Sequence, residues 1–385
     1  MRHQVAIVLL LIVLAAAGWT ACEKFDDLRF NISSAADFKI LFVGDTSFGE
    51  SYDGTPQLLK RRGYDYPMEK LAPVLQDSDY VLANLETPIT DIAETPFKDT
   101  KPYNHWTHVL HAPATLAKYN IRAFGLANNH TLDYGVPGLQ QTLDIFRKND
   151  FEWVGAGMNE AEATKPLVKT FDVKGQPFKM AVIAPFEYSV QYDKQYDFYA
   201  TGDKPGAMRL SRKKIMEQIK QIKAEDPNTF VVVFPHWGAN YAWKNQRQTK
   251  AAHSFIKAGA DLVVGHGGHM MQEVELYENK WIVYGLGNFM FLSPGRYKKS
   301  KKSVPFSYSA QLILVKKGKG LEKRIRLYPH VCNNRLTRFQ PRLLNEKEFA
   351  AFHEKLLDKS PLSQKEQKLI RRGQNDIGYF VEFGL

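Results

Sequence analysis

Short segments of this 385-residue chain repeatedly close an apolar run with a residue that can hold a metal or move a proton. "ILFVGD" ends at Asp45, "YVLANLE" at Asn84 and Glu86, and "FGLANNH" at Asn129 and His130. "VVVFPHWG" ends at His236, "LVVGHGGH" at His266 and His269, and "IVYGLGNF" at Asn288. The inventory is carboxylate, amide oxygen and imidazole without thiolate, which suits divalent Mn, Fe or Zn better than soft-metal chemistry. Asp45, Glu86 and the imidazoles exceed what one tetrahedral zinc requires and match two cations sharing a carboxylate. Such a pair makes hydroxide at neutral pH and neutralises charge on a phosphoryl or carbonyl oxygen, so the expected chemistry is hydrolysis. A lone strand-end Asp ordinarily starts a turn or caps a helix; the recurrence on separate strands makes the metal reading the better one.

The elements that would bring these residues together are β-rich runs alternating with helical patterns. Strands are predicted at Phe38 to Gly44, Tyr80 to Ala83, Ile121 to Ala127, Met180 to Ala184, Phe230 to Phe234, Leu262 to Gly265 and Trp281 to Gly285. Helices are predicted from Pro137 to Lys148, from Ser211 (as N-cap) to Ala224, and from Gln246 to Ala258, each with apolar residues at helical spacing. This alternation predicts an α/β fold with strands buried on both faces. Ala310 to Val315 and Arg324 to Tyr328 predict an antiparallel extension, and the charged stretch from Leu343 predicts a helical appendage. Ligands of open α/β sheets sit outside the carboxyl ends of the strands, so the polar strand ends would ring one pocket.

Composition narrows the partners. The net charge of +11 favours anionic ones, such as a polyanionic polymer, a phosphorylated envelope substrate or a membrane surface. No nucleic-acid reading motif accompanies the charge, and nucleic acid is not expected as a partner. Residues 1–22, with Arg2 and His3 before an apolar run and small residues before Cys22, have the build of an export signal: a lipoprotein anchor lipidated at Cys22 is the leading expectation, with a cleaved leader and an uncleaved anchor as the alternatives. The expected location is therefore the cell envelope, membrane-anchored at its N-terminus with the body in the periplasm or outside the cell. If Cys22 is lipidated or removed, Cys332 has no internal partner and disulfides do not hold the fold.

The landmarks Gly44–Asp45, Asn84 to Glu86, "NNHTLDYG" from Asn128 to Gly135, "HWG" followed by Tyr241, "GHGGH" from Gly265 to His269, and "GLGNF" from Gly285 to Phe289 resemble, in order, those of the CapA family. That family is named for poly-γ-glutamate capsule biosynthesis and belongs to the calcineurin-like metallophosphoesterases. The resemblance implies a four-layer αββα sandwich over residues 38–330, with residues 331–385 as the appendage. It implies Asp45 as a ligand of the first metal, Glu86 as the bridging carboxylate, Asn129, His236 and His266 on the second metal, and His269 on the first. It further implies His130 as acid or transition-state stabiliser, with Asp133 orienting it, and substrate contact from Asn84, Trp237, Tyr241 and Asn288. Three departures stand out: Ser47 where the superfamily often has a His, Asn240 where family members commonly have Glu, and Gly267–Gly268 where His-Pro is usual.

The function expected is a metal-dependent hydrolase in the synthesis, export or processing of an anionic polymer such as poly-γ-glutamate. The alternative is a non-catalytic anchored subunit of a polymer synthesis or export complex. Among side features, His105, His108 and His111 are read as part of a surface loop near Pro102. Trp237, Tyr241 and Trp243 could form an aromatic platform, and the cationic run from Arg296 to Ser303 could capture an anion.

Overall fold

The computed structural model describes residues 37–297, 300 and 303–385. The expected export signal with Cys22, and the lysines of the 296–303 run, lie outside the described residues. No described helix is long and apolar enough to cross a membrane.

Two sheets carry the fold. The first, ten-stranded, comprises β1 (Phe38–Ser47), β2 (Tyr80–Leu85), β3 (Ala123–Gly125), β4 (Glu152–Val154), β13 (Asn288–Phe291), β14 (Phe306–Lys317), β15 (Gly320–Val331), β16 (Arg342–Leu343), β17 (Arg371–Gln374) and β18 (Tyr379–Gly384). The second has six strands: β6 (Leu167–Val173), β7 (Gln176–Ile183), β9 (Phe230–Val233), β10 (Leu262–Val264), β11 (Val274–Tyr277) and β12 (Lys280–Val283). β5 (Ala156–Gly157) and β8 (Gly206–Ala207) pair with each other. Parallel pairing of β1 with β2, β2 with β3, β7 with β9, and β9 with β10 points the carboxyl ends within each sheet the same way.

Alternation along the strands sorts the layers. Ile40 and Phe42 of β1 share a core with Val182, Val232 and Val264 of the second sheet, so this is the seam between the sheets. Leu41 and Val43 face the other way, onto Leu139 and Leu143 of helix Gly135–Lys148. On the opposite outer face, Val231 and Val263 pack with Ile215, Ile219 and Phe255 of helices Arg212–Glu225 and Gln246–Ala258. Strands covered on both faces must be apolar on both, which is why they read as continuous hydrophobic runs. The result is the αββα sandwich.

Helix Gln246–Ala258 starts at a capping box, with the Asn245 side chain accepting from Gln248 N and Gln248 returning the bond. Ser211 occupies the N-cap position of its helix, but its hydroxyl makes no capping bond. The carboxyl-terminal region supplies the expected helix, Glu346–Lys359, and also strands that the sequence reading did not foresee. β18 pairs antiparallel with β15, and Val381 and Phe383 join Phe352 and Leu356 in the inter-sheet core. These residues extend the sandwich and close its seam instead of standing beside it.

Candidate metal centre

Register, before any side chain, assembles the first half of the site. Across the first sheet Asp45 is the Cα partner of Asn84 on one side and of Asn288 on the other, with irregular register at Asp45 in both pairings. Asn288 is thus the first residue of β13, beside β1, and not the end of the strand that contains Trp281; that strand stops at Val283. Close backbone approach makes this possible: Asp45 N donates to Gly287 O at 2.9 Å, and a Cβ on Gly44 would stand 1.9 Å from that oxygen. The second half comes from β9 and β10, whose carboxyl ends deliver His236 and His266 as bridge partners.

Asp45 and Glu86 are fully buried. Asp45 Oδ1 accepts from Asn84 Nδ2 at 3.0 Å and from Gly267 N at 2.9 Å, and its Oδ2 lies 3.2 Å from His269 Nδ1. Glu86 Oε1 faces imidazole nitrogens of His130 at 3.8 Å, His269 at 3.8 Å and His236 at 4.0 Å. Neither Glu86 oxygen, nor Asp45 Oδ2, has a hydrogen-bond partner. Buried carboxylate oxygens without donors are costly, and a cation is the natural remedy.

The tautomers point the same way. His266 Nε2 donates to Phe234 O at 3.3 Å, which leaves its Nδ1 lone pair facing His236 Nδ1 at 3.2 Å and Asp45 Oδ1 at 3.8 Å. His269 Nδ1 lies 2.7 Å from Asn288 Oδ1, so donation there frees its Nε2 toward Glu86. Imidazoles that ligate metals are held in this manner, by donating the other N–H to a carbonyl or amide oxygen. Two groupings result, Asp45 with His236 and His266, and Asp45 with Glu86 and His269, each with candidate ligand atoms within 4.8 Å of one another. Asp45 is common to both, so it is at least as central to the pair as Glu86.

Electrostatics favours the ligand forms of the imidazoles. Burial holds His236 well below its ordinary range and pushes His266 down to about 3, so both are neutral at pH 7. Burial first, then the charge of Asp45, raises Glu86 well above the usual carboxylate range. Without a cation, the two carboxylates resist carrying charge together.

Beside this cluster stands a proton-handling pair. Asp133 Oδ2 lies 2.6 Å from His130 Nδ1, and Lys101 Nζ pairs with Asp133 Oδ1 at 2.7 Å. Burial, then Lys101, lowers the His130 pKa well below the usual value. His105 is not on a surface loop: it is buried, stacked 3.8 Å from the His130 ring, and held by Ser51 Oγ at 2.8 Å. Three-residue His spacing hinted at His105; nothing in the sequence marked Lys101, an ordinary loop lysine until burial makes it the counter-charge of Asp133.

Several expected substrate contacts have other positions. Asn84 is fully buried, bonded to Asp45 and accepting from Asn128 Nδ2 at 3.1 Å, so it holds the Asp45 carboxylate in place. Asn288 does the same for His269. Trp237 is almost wholly buried, its indole N–H donating to Tyr284 O at 2.8 Å, and Trp243 packs on the inter-sheet core. Tyr241 does line a cavity of about 360 Å³ with Tyr52, Tyr103, His130, His269 and Arg296. A second cleft, about 1000 Å³, reaches His236 and Gly267. Asn129 lines both, together with Tyr192.

The departures acquire physical meaning. Ser47 is buried with its hydroxyl accepting from Gly49 N at 3.2 Å, and offers the Asp45, Glu86 and His269 grouping no second imidazole. Gly267 has φ +99° and a Cβ there would lie 2.9 Å from the His236 ring, while its N–H binds Asp45. The glycine is therefore required by the local geometry. Asn240 is exposed where the two clefts meet.

Residues 39–293 match the model of the bacterial capsule synthesis protein PGA_cap family. The chain belongs to that family. It is 31% identical over 303 residues to a capsule biosynthesis protein CapA of Bacillus anthracis, covering 75% of this chain and 68% of that one. It is also 31% identical over 251 residues to a PGA biosynthesis protein CapA of Bacillus subtilis, covering 65% of this chain and 62% of that one. Among solved structures, a novel phosphatase from Mycoplasma pneumoniae overlaps 80% of this chain and 91% of its own at 12% identity and a TM-score of 0.40; nothing is carried over at that distance.

Proposed function

We propose that this family member is a metal-dependent hydrolase of the cell envelope, acting on an anionic capsule-type polymer or its phosphorylated precursor. The observation that carries the reading is the set of partnerless oxygens on Asp45 and Glu86, enclosed by the imidazoles of His236, His266 and His269. The donor set is hard to borderline and suits Mn, Fe or Zn, with Asp45 shared between two cations. Bound there, such cations would generate a nucleophile from water and neutralise charge on an oxygen of the phosphoryl or carbonyl group under attack. Asn84, Asn288 and Gly267 hold the ligands in orientation. His130, at the edge of the cavity with Nδ1 anchored on Asp133 and its basicity lowered by burial, presents Nε2 toward the cluster and is placed to take up a proton there and return it to a leaving group. The relatives' names point to poly-γ-glutamate or another capsule polymer as the material processed.

One observation favours a second reading, a polymer-binding subunit without turnover: Ser47 leaves the Asp45, Glu86 and His269 grouping short of an imidazole. Metal analysis of the purified protein, paired with assays on phosphomonoester, phosphodiester and γ-glutamyl substrates, separates the two. Near-stoichiometric metal with turnover that vanishes in Asp45→Ala supports the hydrolase; polymer binding without turnover on any class supports the subunit. Membrane fractionation of wild type against Cys22→Ser tests the anchor.

A further inference from the structure

A third concavity, of about 470 Å³, opens behind the wall of the tyrosine-lined cavity. Arg61, Arg62, Arg335 and Arg338 line it with Tyr66 and a single carboxylate, Asp53. All the arginines are exposed, and among the described residues none pairs with an acidic side chain. Their surroundings are built: Arg62 lies over the Tyr66 ring at 5.5 Å, and Tyr66 Oη donates to Arg338 O at 3.0 Å. Arg338 and Phe339 take successive left-handed conformations, φ 55° and 64°, which residues with a side chain seldom adopt and which place Arg338 at the groove.

The tyrosine-lined cavity and this groove share a thin partition. Tyr52 lines the cavity and Asp53 the groove. Ser293 and Pro294 line the cavity, and their carbonyls accept from Asn334 Nδ2 at 2.8 Å and Arg335 Nε at 3.3 Å, residues that line the groove. On the other side of the partition stands Arg296. Guanidinium forks match carboxylates two bonds at a time, and unpaired like charges in a concave site raise the local concentration of anions. A small anion would engage one or two forks; forks spread along a cleft next to a second cationic cleft suit a chain with a carboxylate on each repeat.

We infer that the groove of Arg61, Arg62, Arg335 and Arg338 is a secondary binding site for a linear polycarboxylate whose neighbouring segment occupies the cavity beside His130. This rests on the reading of an anionic polymer as ligand, but not on hydrolysis.

The test titrates poly-glutamate and a glutamate dipeptide into the full chain, its Arg61→Glu/Arg338→Glu variant, and a Lys213→Glu/Lys220→Glu variant. The last makes the same charge change on the outer helix Arg212–Glu225. Melting temperatures confirm that all three are folded. The arginine variant is expected to weaken poly-glutamate about tenfold or more, as loss of two charge-assisted contacts implies, and to leave the dipeptide unchanged. The lysine variant is expected to bind poly-glutamate like the wild type. Equal losses in both variants, or no loss in the arginine variant, overturn the inference. So does a groove dependence that appears only with polyphosphate or with anionic vesicles. If the wild type turns over no substrate but the arginine dependence holds, the hydrolase reading fails and the groove stands.

Discussion

The two sheets contribute opposite chemistry to one site. The first supplies anions and amides: Asp45 within β1, Asn84 and Glu86 at the end of β2, Asn128 and His130 beyond β3, and Asn288 opening β13. The second supplies imidazoles, His236 and His266 beyond β9 and β10, with His269 following. Neither half is comfortable alone, because carboxylates without donors and imidazoles with converging lone pairs both lack a positive partner. The two sets of polar strand ends meet where one cation or a pair of them would relieve both.

Breaking the comparison at its shared member should have the largest effect. Asp45→Ala removes the carboxylate common to both groupings, and metal measured by elemental analysis should fall to background, with activity lost in parallel. Retention of full metal content would show that the halves do not meet through Asp45. His130→Ala should leave metal content intact and lower kcat by about 10²–10⁴-fold, the usual range for a lost general acid. An equal loss of metal would mean that His130 is a ligand.

Smaller effects probe the supports. Asn288→Ala frees His269 Nδ1 from its 2.7 Å partner and should weaken metal affinity by about 10–100-fold, measured by competition with a chelator dye. An unchanged affinity would return Asn288 to a purely packing role. The mildest test concerns pH. His330, buried and donating Nε2–H to Asn288 O at 2.9 Å, is held down to about 4, mainly by burial. Its ordinary value is near 6.5, so the unfolded chain takes up the proton first as pH falls, and stability is lost between about pH 6.5 and 4. Urea unfolding of wild type should therefore show a slope steeper than that of His330→Asn by up to ~1.4 kcal/mol per pH unit in that window. Parallel slopes would show that His330 does not titrate with folding.

Much of this was readable along the chain. Apolar runs located β1, β2, β7, β9, β10, β12, β14 and β15 because strands buried on both faces cannot hide their composition. β17 was missed because "RRGQ" has no apolar pattern; it forms by pairing with β18, which in turn pairs with β15. Asn288 was given to the wrong strand because "IVYGLGNF" runs without a break, although the chain leaves the second sheet after Val283 and enters the first at Asn288. Lys101 and His105 were undervalued because loop residues acquire burial only from what folds over them.

The sequence by itself determined the fold class, the family landmarks and the kinds of donor atom available, since periodicity and residue type are local properties. Tertiary structure alone decided that Asp45 belongs to both candidate groupings, that Asn84 and Gly267 bond Asp45 and Asn288 bonds His269, and that a thin wall joins an arginine groove to the cavity. Those facts depend on register across β1 and on contacts such as Asp45 with Gly267, 222 positions apart along the chain. A linear pattern carries no distance between such residues; only packing of one sheet on the other supplies it.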